Sequence, residues 1–363
     1  MALFTSKRQY ISQHTRRGKA QRDMRLDNVR GVLIILVVIG HFLLPLLGSE
    51  TRLVTGLIYL IYAFHMPCFV MLSGYYSKSI YSDGRFRWGK VVQMLWLYVV
   101  YETVVYFTEG LAYGYVGPMP NFLHENGAPW YLLALAVWEL SIPVFHGFRG
   151  KRSSIYVTIA MFIAVSFLKY VIQIDDFLSM DRIITFMPFF YLGYFSSQLQ
   201  LDKYLLSRYR RPVDCAACIF ALIILFGMKT LLFKYNLVVY GADYRRYAPD
   251  MEAWKWLINL IWYAIALCMS LGLIGIMLNR RMLIITKLGM NTLPIYFIHR
   301  PIRDLLEFAG MYEMIDPFNR LHVLMLVVFS ILLTIILGNG LVSGVINRLR
   351  SVFDPLLEKH NAL

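Results

Sequence analysis

Scarcity narrows this chain before any motif does. Only four cysteines, Cys68, Cys215, Cys218 and Cys268, occur in 363 residues, each in or beside an apolar run. Cys215-Ala-Ala-Cys218 has the spacing of a redox or metal pair, but no second pair and no histidine accompanies it. The pair therefore reads as packing, and no metal site is expected. Charged residues make up 16% of the chain, well below the quarter or so usual in soluble domains. No low-complexity segment, internal repeat or period-two apolar alternation is present, which argues against solenoids and sheets. The basic N-terminal stretch is not followed by a short apolar region and a cleavage site, so no secretory signal is expected. The longest polar connections, at about 109–128, 237–253 and 311–320, are too short to fold alone. Any chemistry must then take place among apolar helices.

Apolar residues, by contrast, are abundant: 58% of the chain, with 25 Tyr, 24 Phe and a mean hydropathy of +0.55. Apolar segments fall at 29–47, 53–76, 90–108, 129–146, 155–174, 182–198, 213–236, 254–278, 288–310 and 321–347. A membrane helix needs about 20 apolar residues, so the expected fold is all-α, a polytopic protein of about ten membrane helices. Residues 1–27 read as a basic tail, 28–347 as the membrane domain and 348–363 as a second tail. The ninth segment is expected to be interrupted at Arg300-Pro301-Ile302-Arg303-Asp304.

Net charge is +14, and its placement decides its meaning. If the N-terminus lies inside, the cytoplasmic stretches hold 25 of the 36 Lys and Arg, and the outer loops hold 8. Lys169, Lys229 and Lys234 lie near outer helix ends, where long side chains snorkel. This is the positive-inside pattern for an even number of spans with both termini cytoplasmic. The basic excess is thereby accounted for, and nucleic acid is not an expected partner.

The most informative stretch is Arg25-Leu-Asp27-Asn-Val-Arg30-Gly31, which leads into an apolar helix containing His41. At about 100° per residue, Asp27, Arg30, Ile34 and His41 share one stripe, with His41 about 16 Å beyond Arg30. An imidazole deep in a hydrocarbon layer is costly unless it faces protein or a cavity. It is either bonded to a neighbouring helix or functional, and the aligned arginine favours function. His65, Glu102, Glu139 and His299 fall at similar depth in other segments, which suggests one shared polar cavity. Helix-to-helix hydrogen bonds remain an alternative for either glutamate. Trp130 and Tyr131 read either as an interfacial aromatic belt or as a stacking platform for a sugar ring. Tyr296 and His299, three residues apart, are neighbours on one helix face. The turn Ser82–Lys90 carries Arg85, Arg87 and Lys90, which suit either anionic lipid headgroups or the phosphates of a nucleotide cofactor.

Taken together, these residues resemble the integral-membrane acyltransferase-3 family, which includes glycan O-acetylases and fucose 4-O-acetylase-like proteins. The resemblance covers about 25–345. It rests on Arg30-x10-His41 after Arg25-Leu-Asp27, His65-Met-Pro…Ser73-Gly-Tyr75, Trp130-Tyr131-Leu132 and Tyr296-x-x-His299. One departure is Arg87-Trp-Gly-Lys90, where members often carry Arg-x-x-Arg; the charge is kept and a bidentate donor is lost. No fused esterase-like domain is visible, so the chain is similar to the stand-alone type.

That resemblance implies transfer of an acyl group, usually acetyl from acetyl-CoA, to a hydroxyl of a glycan or lipid-linked sugar, without a metal. It implies that Arg30, Arg85, Arg87 and Lys90 hold the donor's phosphates on the cytoplasmic side. His41 would act as general base, or less simply as an acyl carrier. Asp27 would orient Arg30, and His65 or His299 would donate to the oxyanion. Trp130, Tyr131, Glu139 and Tyr296 would line the acceptor site. Expected partners are membrane lipids, acyl-CoA and the acceptor, at the plasma membrane of a cell-envelope pathway. A proton-coupled transporter or flippase is the rival reading, since mid-depth ionisable groups and a broken helix also suit transport. A non-catalytic receptor would leave the buried ionisable groups without a purpose.

Overall fold

The computed structural model describes residues 24–82, 84–114, 119–120, 122–123, 127–171, 177–201, 211–227 and 255–352. The expected tails therefore lie largely outside the described residues, as do the whole of 237–253 and the positions Lys229 and Lys234. The helices are α1 (Met24–Leu43), α2 (Arg52–Tyr62), α3 (His65–Tyr76), α4 (Trp88–Tyr113) and α5 (Trp130–His146). They continue as α6 (Lys151–Val171), α7 (Met180–Tyr194), α8 (Arg211–Gly227) and α9 (Lys255–Ile276). The series ends with α10 (Leu283–Met290), α11 (Thr292–Phe308), α12 (Arg320–Leu337) and α13 (Gly340–Ser351). Among the described residues, 6 helical stretches are long and apolar enough to cross a membrane, and α5 and α8 are shorter apolar helices.

Helix α1 is the axis of the fold. It buries Leu26, Val29 and Leu33 in one apolar cluster and Ile34, Val37, Val38 and Phe42 in a second. It packs against α2, α3, α10, α11 and α12. A helix apolar on nearly every side is stable only when enclosed in this way. Its close approach to α10 depends on two glycines: a Cβ at Gly31 would strike the Ile285 carbonyl, and one at Gly289 would strike the Asp27 carbonyl. Small residues let membrane helix backbones meet, and here they fix the segment that carries Asp27 and Arg30. The same device joins α3 to α7 through Gly74 and Gly193.

Asn28, one residue beyond Asp27, is fully buried. Its Nδ2 donates to the carbonyls of Leu278 and Arg280, each at 2.9 Å, and its Oδ1 accepts from the Thr286 hydroxyl. One amide thus fastens the α9–α10 connection to α1. Asn28→Ala leaves those carbonyls without their donor, at about 1–3 kcal/mol. The expected result is a lower midpoint in detergent unfolding; an unchanged midpoint would show that water replaces the amide.

Several helix ends follow from proline. Pro67 has no N–H for the carbonyl of Ala63, and the chain breaks just there, between α2 and α3. His65 bridges the break, its Nδ1 lying 2.8 Å from the Ile61 carbonyl. Pro45 likewise ends α1, which tightens into a 3-10 turn over Leu44–Ser49, while the Tyr312 hydroxyl donates to the Phe42 carbonyl at 2.9 Å. Pro301 does not interrupt its helix, contrary to expectation: α11 is continuous from Thr292 to Phe308. The Arg300–Asp304 pair, four residues apart, spans that proline, and the Arg303–Glu307 pair follows it on the same helix. The interruption lies earlier, at Asn291, whose Nδ2 donates to the Lys287 carbonyl at 3.0 Å. The turn before α4 forms a small antiparallel hairpin, β1 (Tyr81–Ser82) and β2 (Arg85–Phe86), with Gly84 at φ 74°. Asp83-Gly84 is the sequence signal for such a turn.

Candidate active site

A cavity of about 340 Å³ opens among α1, α3, α4, α5 and α11, within the range of small-molecule sites. One wall is the α1 stripe: Arg30, Ile34, Val37 and His41 all line it. The helical period that puts these positions on one face also places the arginine and the imidazole at different depths of one chamber.

Around Arg30 the lining is polar. Its Nη2 donates to the Thr292 hydroxyl at 2.9 Å, its Nη1 lies 3.7 Å from Asp27, and its guanidinium stands over the Tyr76 ring at 5.4 Å. Asp27 is buried, so the pair is shielded on the carboxylate side while the arginine meets the cavity. Lys90, Ser77 and Glu139 line the same region. Ser77 donates to Glu139 Oε1 at 2.8 Å, and Oε2 of the buried Glu139 has no hydrogen-bond partner. An unmatched buried carboxylate oxygen beside a cavity is a place where a ligand group can bind.

Another part of the lining is aromatic, with Trp130, Tyr131 and Tyr296. Trp130 stacks on Phe186 at 5.4 Å, beneath the Arg182 guanidinium at 5.6 Å. Tyr131 is hydrogen-bonded to Ser73, and Tyr296 donates to the Ala128 carbonyl. These bonds fix the rings against backbone and helix, so the apolar walls are rigid.

Other candidates lie away from the lining. Arg85 and Arg87 are exposed on the hairpin and its exit. Glu102 is half-buried on α4, outside the cavity wall. His65 and His299 are buried and do not line the cavity either. Each has its Nδ1 next to the carbonyl four residues earlier, Ile61 and Ile295 respectively. With neither ring on the wall, the oxyanion role drawn from the resemblance is not carried forward. Among the described residues, no group of three or more His, Cys, Asp or Glu is arranged to hold a metal.

Several site residues had no signal in the sequence reading. Thr292 and Ser77 are single hydroxyls that only tertiary contact brings to Arg30 and Glu139; Ser73 stood in a motif, but its contact with Tyr131 was not legible. Behind His299 lies a buried ion network: Arg300 pairs with Asp304 at 3.0 Å and with Glu109, and Arg303 pairs with Asp304 and with Glu307 at 3.6 Å. Tyr113 donates to Glu307 at 2.9 Å, and Thr108 to Asp304 at 3.3 Å. The four-residue spacing of Arg300 and Asp304 was legible; the partner Glu109, on α4, was not.

Comparison with known proteins now decides the family, because the profile of the acyltransferase domain matches residues 24–339, nearly the whole described span. The chain belongs to the acyltransferase-3 family. It is also similar to the nodulation protein NolL of Mesorhizobium japonicum, with 27% identity over 237 residues, 62% of each chain. Similarity to the nodulation protein NolL of Sinorhizobium fredii is 27% over 191 residues, 50% of each chain. The match thus spans less than two thirds of the length of these relatives. No solved structure matches the chain. Family membership and the apolar helices together identify a multi-pass membrane protein of the acyltransferase-3 family. Its matched span begins at Met24, where α1 begins, so Arg25 and Asp27 are helix residues within that span.

Proposed function

We propose that this protein is a membrane O-acyltransferase that moves an acyl group, most simply acetyl, from acyl-CoA to a hydroxyl of a glycan or lipid-linked sugar. The observation that carries this reading is the single wall shared by Arg30 and His41 in one cavity. A cation at one depth and a titratable imidazole at another suit a donor whose phosphates and thioester are far apart.

In this reading about ten helices cross the plasma membrane with both termini in the cytoplasm, so the Arg30 end faces the cytoplasmic acyl-CoA pool. Arg30 and Lys90 bind phosphate or polar donor groups, with Asp27 and Thr292 holding the guanidinium in place. Arg85 and Arg87, exposed on the hairpin, attract the anionic donor from the mouth. The thioester arm extends along Ile34 and Val37 towards His41. Trp130, Tyr131 and Tyr296 present aromatic faces to the sugar, and Glu139 accepts a polar group of donor or acceptor. Neutral His41 takes the proton of the acceptor hydroxyl as its oxygen attacks the thioester carbonyl. The tetrahedral intermediate collapses, the carbon–sulfur bond breaks, and the thiolate recovers the proton from the His41 imidazolium. Ester and free thiol leave, and the imidazole is again neutral.

Two measurements test this arrangement. Arg30→Gln removes a charge-assisted contact of about 1.5–3 kcal/mol, so CoA affinity of the purified protein should fall roughly tenfold to over a hundredfold. Lys90→Gln should fall in the same direction, and Arg87→Gln by less, since only Lys90 lines the cavity. A dissociation constant unchanged in both Arg30→Gln and Lys90→Gln would leave these cations as topology signals. A reporter fused after Leu363 should be active on the cytoplasmic face; activity only outside would overturn the ten-span orientation.

A further inference from the structure

Among the described residues, His299 is the fully buried histidine whose ring sits beside the proposed base. Its centroid is 5.0 Å from that of His41, with the rings at 66°, an edge-to-face contact between imidazoles on α11 and α1. One nitrogen of each ring is left over. His41 Nδ1 and His299 Nε2 are both buried, and neither has a hydrogen-bond partner. Unmatched buried imidazole nitrogens are costly one at a time; two in adjoining rings can satisfy each other. The tautomer of His299 is constrained by its other nitrogen, because Nδ1 lies 3.1 Å from the Ile295 carbonyl. A carbonyl only accepts, so Nδ1 carries the proton and donates it there. Nε2 of the neutral ring is then a bare acceptor.

We infer that His299 is a positioning residue for His41: a small turn of the two rings from their edge-to-face contact lets His299 Nε2 accept the His41 Nδ1–H, which fixes the tautomer of His41 with Nε2 bare. A base must present an unprotonated nitrogen to its substrate, and the hydrogen bond at the opposite nitrogen decides which one that is. Carboxylates and carbonyls commonly hold a functional imidazole in this way. Here an imidazole takes that place, itself oriented by a backbone carbonyl, so a chain of two rings runs from the α11 backbone to the cavity. His299 does not line the cavity, so it acts through His41 and not on the substrate. Tyr296, one turn earlier on the same helix, meets the His299 ring at 6.1 Å and helps to set its plane. Two neutral rings also share one proton donor without the burial of a charge. Once His41 becomes an imidazolium during turnover, the same bond becomes charge-assisted and stronger.

The inference rests on the acyl-transfer reading for its purpose, but the pairing has its own observable. Nitrogen NMR of histidine-labelled full-length protein in detergent should show His41 protonated at Nδ1 in the resting state. In His299→Leu, which keeps the volume and removes the acceptor, the His41 signal should shift to a mixture of tautomers. His299→Gln restores an acceptor oxygen near the position of Nε2 and should restore the Nδ1–H form. In acyl transfer, His299→Leu should lower kcat about tenfold or more with KM for acyl-CoA unchanged, and His299→Gln should recover most of kcat. A His41 signal identical in wild type and His299→Leu would overturn the pairing, as would a His299→Gln protein that is folded but no better than His299→Leu. Wild-type protein without acyl transfer would instead count against the proposed function, and the nitrogen spectrum would still decide the pairing.

Discussion

Acyl transfer by His41→Ala should fall at least 10²–10⁴-fold, the range lost with a positioned base, while the protein still folds and binds acyl-CoA. Folding should survive because His41 is only half-buried and lines a cavity instead of filling a core position. Binding should survive because Arg30, which holds the anionic end of the donor in this reading, lies three helical turns away. The assay is acetyl transfer, or acetyl-CoA hydrolysis, by purified protein, alongside a CoA titration of the same preparation. Near-wild-type turnover in the mutant would remove His41 from the mechanism. Turnover lost together with CoA binding would point to collapse of the cavity.

The second large effect is on stability. Asp304 is fully buried and accepts from both Arg300 and Arg303, which are themselves buried. Removing one partner of a buried ion pair leaves an uncompensated charge and costs about 3–5 kcal/mol. Asp304→Ala should therefore unfold at markedly lower denaturant, or fail to accumulate in the membrane. Glu307→Gln, at the half-exposed rim of the same network, should be far milder, because exposed pairs contribute little. Equal midpoints for wild type and Asp304→Ala would mean that water enters the network. The network also supports α11 behind His299, so a partly folded Asp304→Ala protein should lose activity before it loses helix content.

Much of this protein was legible without coordinates. Hydropathy alone gives a helical membrane protein, because long apolar runs with few charges have no other stable arrangement in lipid. The 3.6-residue period alone places Arg30, Ile34 and His41 on one stripe. Pairwise rules on one helix, such as Asp27–Arg30 and Arg300–Asp304, are equally local. The expected interruption at Pro301 shows the limit of such rules. Proline removes one backbone bond, yet α11 runs on through Pro301 with Arg300 and Asp304 paired across it, and the break lies at Asn291.

Tertiary structure decided everything that depends on which helices touch. Lys90 and Arg87 belong to the same basic turn and look alike in sequence; only the packing of α4 turns Lys90 to the cavity and leaves Arg87 outside. His65, Glu139 and His299 fall at comparable depths in their segments, yet Glu139 meets the cavity with an unmatched oxygen, His65 bridges a helix break, and His299 rests against His41. Depth is a property of one helix and is written along the chain. Azimuth and neighbour are properties of pairs of helices, set by glycines such as Gly31 and Gly289 that let two backbones approach, and no single stretch of sequence contains them.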